Sequence, residues 1–252
     1  MLITGLLATL AATFAAFTAL WTLSLRRADA SIVDFYWGPG FVVIGWMAFA
    51  MAGSIDAARL ILLMALTLWG LRLGWYMRQR HRGQEDARYA AMRQNHGADF
   101  GRKSLWLVFW LQAFLQWLAA SPILVAAFAK PQPVWPIMAL GLALFSAGFL
   151  LEILADRAVA RFKSNPANRG KLLTSGLHAR IRHPNYLGEI ILQWGFGVMA
   201  FGLTLNPLAF MGPALMHVLI VRLSGVPMLE QQLAKRAGFQ EWQARSGALW
   251  WR

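Results

Sequence analysis

Apolar runs without a charged residue recur along this chain, each about as long as a bilayer is thick. A helix needs about 20 mostly apolar residues to cross. Met1–Leu25 carries no charge, and neither do Phe35–Ile55, Ser104–Ala129 and Pro131–Leu151. Leu60–Met77 is interrupted only by Arg72. Between Glu189 and Arg222 lies an uncharged stretch too long for one crossing, with a turn signal, Asn206-Pro207, near its middle. Splitting it into 185–203 and 205–226 gives seven spans. The expected fold class is therefore all-α, a polytopic membrane protein with seven transmembrane helices. The first run lacks the basic start of a signal peptide and is read as retained.

The charge pattern orients these spans. The chain has 24 Lys and Arg against 11 Asp and Glu, a net charge of +13. In a soluble protein that excess would suggest nucleic acid. Here only 14% of residues are charged, against about 25% in a soluble domain, so the basic residues read as topology signals and no nucleic-acid partner is expected. Arg26 and Arg27 follow the first span, and residues 78–103 and 157–182 carry seven Lys or Arg each. Lys235, Arg236, Arg245 and Arg252 follow the last span, whereas the opposite side has only Arg59 and Lys130. The positive-inside rule then places the N-terminus out and the C-terminus in. Residues 1–252 read as one domain, with loops 78–103 and 156–184 and the tail 227–252 on the cytoplasmic side. The absence of cysteine excludes disulfides, thiolate metal sites and a cysteine nucleophile. The five histidines show no ligand spacing, so no metal is expected.

Residues 152–189 hold the densest polar chemistry. Glu152 and Asp156 lie four apart and share one helix face. A carboxylate facing lipid is costly, so both are expected to face the protein interior. Arg157, Arg161, Lys163, Arg169 and Lys171 follow, then the run Arg182-His-Pro-Asn-Tyr-Leu-Gly-Glu189. Pro184 suits the first position of a helix. Arg182 and His183 then stand at a helix N-terminus, which favours an anion. Asn185 and Glu189 share a face one turn in, Asn offering donors and an acceptor, Glu an acceptor only. Such a set suits a nucleotide, with phosphates outside and ribose or amide further in. The alternative is that the arginines bind lipid headgroups and set topology.

Arg182-His-Pro-Asn-Tyr-Leu-Gly-Glu189 with Trp194-Gly195 resembles the signature of the steroid 5-alpha-reductase C-terminal-domain family, to which sterol reductases are related. Glu85-Asp86-Ala-Arg88-Tyr89, with Arg93, Gly97 and Phe100, resembles the bacterial branch of that family. Membrane isoprenylcysteine carboxyl methyltransferases share an Arg-His-Pro-x-Tyr element. The resemblance implies an NADPH-dependent reductase of a carbon–carbon double bond conjugated to a ketone, typically in a 3-oxo-Δ4 steroid. It implies a bacterial inner membrane, with the active site open to the cytoplasm. Asp156 resembles the family aspartate at the cofactor, and Glu152 stands beside it. Lys163 and Lys171, with Arg161 and Arg169, stand near family arginines that meet the phosphates. Asn185 and Glu189 match the pair that holds the nicotinamide carboxamide, with Tyr186 flanking them. Arg222 matches an arginine of the last span.

Reduction of an enone also needs a hydrogen-bond donor where charge develops on the carbonyl oxygen. Asp34 and Tyr36 occupy the matching early region, and Trp69 falls near the family tyrosine. A buried carboxyl can donate while neutral. Asp34 could instead pair with Arg72, since an intramembrane charge needs a partner. The substrate expected is an apolar small molecule entering from the bilayer, among membrane lipids. Two alternatives stand beside the reductase: a methyltransferase using S-adenosylmethionine, and a non-catalytic lipid-binding protein.

Overall fold

The computed structural model describes residues 2–53, 55–81 and 83–250. Met1, Arg82 and Arg252, which figure in the spans and charge counts above, lie outside the described residues, as do Ser54 and Trp251. The described residues form helices and no strand. They divide into two compact units, one of residues up to Pro133 with Leu203–Ala209, the other of Val134–Gly202 with residues from Phe210 on.

In the first unit α1 (Leu2–Arg27), α2 (Ile32–Ala52) and α3 (Ala57–Arg80) follow the first three apolar runs. The buried threonines of α1 are satisfied inside the helix: Thr9 donates to the Gly5 carbonyl at 3.0 Å and Thr13 to the Thr9 carbonyl at 2.8 Å. Gly53, at φ 73°, ends α2 in the left-handed conformation that glycine adopts without strain. Asp56 then caps α3 by accepting from the Arg59 amide at 2.8 Å. Glycines let α2 and α3 touch. A Cβ on Gly70 would lie 2.6 Å from the Gly38 carbonyl oxygen.

The fourth helical stretch, α4 (Ala87–Ala119), starts earlier than the sequence suggested. Much of the expected loop 78–103 is helical, running through a 3-10 turn at Gly97–Asp99 and a π stretch at Leu105–Trp110. The reason is a second apolar face. Tyr89, Phe100, Val108, Phe109 and Ala113 join Phe17, Ala30 and Val33 in one buried cluster. At Ala120, just ahead of Pro122, the chain bends by 51° into α5 (Ser121–Phe128).

The second unit holds α6 (Trp135–Ser164), α7 (Pro184–Thr204), α8 (Pro207–Leu233) from Phe210 on, and the short α9 (Phe239–Arg245). At 30 residues, α6 outruns the expected span 131–151. Arg157, Arg161 and Lys163 therefore lie on its last turns rather than in a loop. Asn165-Pro166 stops it, because the residue before proline is pushed out of the helical region.

Gly141 and Gly148 on α6 face Gly195 and Gly188 on α7. A Cβ on Gly188 would lie 2.7 Å from the Glu152 amide nitrogen, and one on Gly195 would lie 2.5 Å from that of Phe145. The seven-residue spacing keeps the bare backbones facing each other along the pair. Among the described residues six helices are long and apolar enough to cross a membrane, and a seventh crossing results if the bent α4–α5 pair counts as one span.

Candidate functional site

The α6–α7 pair gathers most of the polar residues singled out in the sequence. Where Gly188 meets Glu152, the helices cannot move apart without losing backbone contact. Glu152 and Asp156 lie on the same face of α6, each only 4% exposed. Asn185, Tyr186 and Glu189 are half-buried on the first turns of α7. Gln193, one turn further and buried, donates Nε2 to Glu189 Oε1 at 2.8 Å and fixes that carboxylate. The expected inward placement of Glu152 and Asp156 is thus what the fold shows. Arg161, Lys163, Arg169 and Lys171 are all exposed, the first two on the end of α6 and the others in the segment leading to α7. Arg222 is exposed on a π stretch of α8 at Leu219–Leu223.

Arg182 and His183 differ from the rest of the set. Arg182 is 7% exposed and His183 only 1%. Arg182 Nε donates to Glu230 Oε1 at 2.7 Å, and Nη1 reaches the carbonyls of Gln243, at 3.4 Å, and Ser246. His183 Nε2 meets the same Glu230 oxygen at 3.2 Å. Burial pushes the His183 imidazole below its ordinary range against the pull of Glu230. Burial, then the neighbouring His183, pushes His178 down to about 4.

The backbone completes the latch. Arg182 N donates to the Gly247 carbonyl at 2.9 Å and His183 N to the Ala248 carbonyl at 3.0 Å. Trp242 Nε1 donates to the His178 carbonyl at 2.8 Å. The sequence put Arg182 and His183 beside an anion at the α7 N-terminus. The anion found there is the chain's own Glu230, and the two residues hold the tail.

In the first unit Asp34 lies in the first turn of α2. Its partner is not Arg72, whose guanidinium sits over the Tyr76 ring at 5.1 Å. Instead Asp34 accepts from Arg88 Nη2 at 2.7 Å and from the Tyr89 hydroxyl at 2.8 Å. Gln112 Nε2 donates to the same hydroxyl at 3.2 Å, and Arg88 Nε donates to Asp86 at 2.8 Å. Glu85 accepts from the Ala30 amide at 2.8 Å and from Arg93, whose hydrogen bonds hold its carboxyl below the usual range. The Glu85-Asp86-x-Arg88-Tyr89 motif therefore clamps the start of α4 to the α1–α2 turn. Two donors on Asp34 make it an acceptor that positions Tyr89. Tyr36 packs edge-on to Phe17 with ring centres 5.5 Å apart, and Trp69, fully buried, packs edge-on to Phe41 at 5.4 Å.

Glu230, Gln193, Tyr89 and Gln112 carried no site role in the sequence reading. Gln193 had a readable signal, since it stands four residues from Glu189 in a run already read as helix. Among the described residues no group of three or more His, Asp or Glu is placed to hold a metal ion.

Comparison with known proteins gives two matches. The model of a family described as a protein of unknown function, DUF1295, matches residues 20–246. Over 104 residues, 41% of this chain, the sequence is 30% identical to a probable O-methyltransferase, ustE, of Ustilaginoidea virens. That match spans about a third, 35%, of the curated relative's length. No solved structure matches.

Proposed function

We propose that this chain, which belongs to the DUF1295 family, is an NADPH-dependent membrane reductase acting on the carbon–carbon double bond of a conjugated enone lipid, with a 3-oxo-Δ4 steroid as the first substrate to try. That family is associated with steroid 5-alpha-reductase-like membrane proteins. The observation that supports the reading is the inner end of the α6–α7 pair. Buried Glu152 and Asp156 and half-buried Asn185, Tyr186 and Glu189 sit there next to four exposed cations.

The donor set fits the cofactor. A nicotinamide carboxamide carries both a donor and an acceptor, which Asn185 can meet from both sides and Glu189 from one. Asp156 and Glu152 offer acceptors for ribose hydroxyls. Arg161, Lys163, Arg169 and Lys171 offer charge for phosphates, and a 2′-phosphate would favour NADPH over NADH. Bound NADPH supplies a hydride. The chain's part is to hold the ring amide, exclude water and place a donor at the substrate carbonyl. By the positive-inside rule the cofactor end faces the cytoplasm, and the resemblance to the bacterial branch of the family implies a bacterial inner membrane.

A second reading is a methyltransferase using S-adenosylmethionine. It draws on the printed name of the curated relative. The carboxylates Glu152, Asp156 and Glu189 would also suit a cationic sulfonium.

Turnover tests the first reading. Asn185→Ala and Glu189→Gln should each lower NADPH-dependent reduction of a 3-oxo-Δ4 steroid on the order of 100-fold, the scale of a misplaced reactant. Both groups are half-buried, so thermal unfolding should move little. Wild-type turnover in both purified variants would remove the nicotinamide assignment.

A further inference from the structure

A cavity of about 440 Å³ opens in the first unit where α1 ends, α2 begins and α3 ends. Its wall includes Arg27, Asp29, Ile32, Phe35, Arg78 and His81. That volume falls within the ordinary range of small-ligand sites. None of these residues belongs to the proposed nucleotide site.

The charges in the wall are not equivalent. Asp29 is turned inward and held by the Ser31 amide at 2.9 Å, by the Ser31 hydroxyl and by His81 Nε2 at 3.1 Å. Glu85, which also lines the cavity, is spent on Arg93 and the Ala30 amide. Of these partners His81 is itself part of the wall, and Ser31, Ala30 and Arg93 bind the carboxylates without lining it. Arg27 and Arg78 are exposed and make no ion pair among the described residues. What faces outward is a pair of cations above an apolar floor of Ile32 and Phe35. Phe35 is fixed in place by the His81 ring, edge-on at 4.9 Å. The cavity also sits at the ends of three helices long and apolar enough to cross a membrane, and span ends are where lipid headgroups lie.

We propose that this cavity binds the phosphate headgroup of an anionic phospholipid. Arg27 and Arg78 would meet the phosphate, and Ile32 and Phe35 the first carbons of the chain. Topology alone would need arginines at this end of the helices, but not a cavity whose two carboxylates are both hydrogen-bonded to other groups.

The test uses the full-length protein in nanodiscs and native mass spectrometry of retained lipid. The probes are phosphatidylglycerol, phosphatidylcholine and inorganic phosphate. Phosphatidylglycerol should be retained over phosphatidylcholine, and millimolar inorganic phosphate should not displace it. The double variant Arg27→Gln, Arg78→Gln should lose about 30-fold in affinity, about fivefold per cation near a membrane surface. A control changes Arg26 and Arg80, exposed on the same helix ends but outside the cavity wall, to glutamine; it should change affinity little. Equal losses in both double variants would overturn the proposal, as would displacement by free phosphate. Unchanged melting of all variants separates lost binding from lost fold.

Discussion

Arg182→Ala is expected to destabilise the protein by about 3–5 kcal/mol, the cost of leaving a buried charge without its partner. Arg182 is 7% exposed and its guanidinium reaches Glu230, Gln243 and Ser246. Removing it leaves the Glu230 carboxylate with His183 at 3.2 Å as its remaining side-chain partner. It also removes the donor to the Ser246 carbonyl. For a chain of this size the melting temperature should fall by roughly 6–20 °C. Arg182→Lys should recover part of the loss, since it keeps the charge but not the fork of donors. The damage should be local first. Amide exchange should rise in residues 239–248, which are stitched to 178–183 through Trp242, Gly247 and Ala248. Unchanged exchange in that tail would mean that the latch does not hold it.

Gly188→Val should be nearly as severe, for a different reason. A Cβ at 188 would lie 2.7 Å from both the Glu152 amide nitrogen and the Gly148 carbonyl oxygen, atoms that belong to backbone and cannot rotate away. The helices must separate, and overpacking of this kind costs about 1–3 kcal/mol or more. Separation would also pull Glu152 away from the first turns of α7, so the reduction proposed for this site should be lost together with stability. Gly101→Ala provides the control, because its nearest neighbour there would be a flexible Leu25 methyl at 3.4 Å. A Gly188→Val protein that melts like the wild type would show that the close contact is not needed.

These two sites show which parts of the fold a single sequence reveals. The apolar runs announced most of the helices. Asn206-Pro207 marked a real break, with Leu205 at φ 54° and the Asn206 side chain accepting from the Leu208 amide at 3.0 Å. Inward carboxylates at 152 and 156 followed from helix periodicity and the cost of charge in lipid. The glycines at 141, 148, 188, 195 and 202 were also visible as seven-residue spacings, and the helix contact could have been read from them.

What stayed hidden depends on contacts between distant residues. Arg182 finds Glu230 across 48 residues, and Asp34 finds Arg88 across 54. Nothing local separates a guanidinium bound for a phosphate from one bound for a carboxylate of its own tail. Helix α4 was missed in its first turns for a related reason. Its sequence from Ala87 to Lys103 is polar, and its helical state rests on Tyr89 and Phe100 packing into the cluster around Phe17.

The most direct test of the proposed nucleotide site is binding of NADPH, NADH and S-adenosylmethionine to the detergent-purified protein, measured by calorimetry. NADPH should bind, about tenfold or more tighter than NADH, as one added charge-assisted phosphate contact would give. Binding of S-adenosylmethionine with none of NADPH would contradict it and favour the methyltransferase.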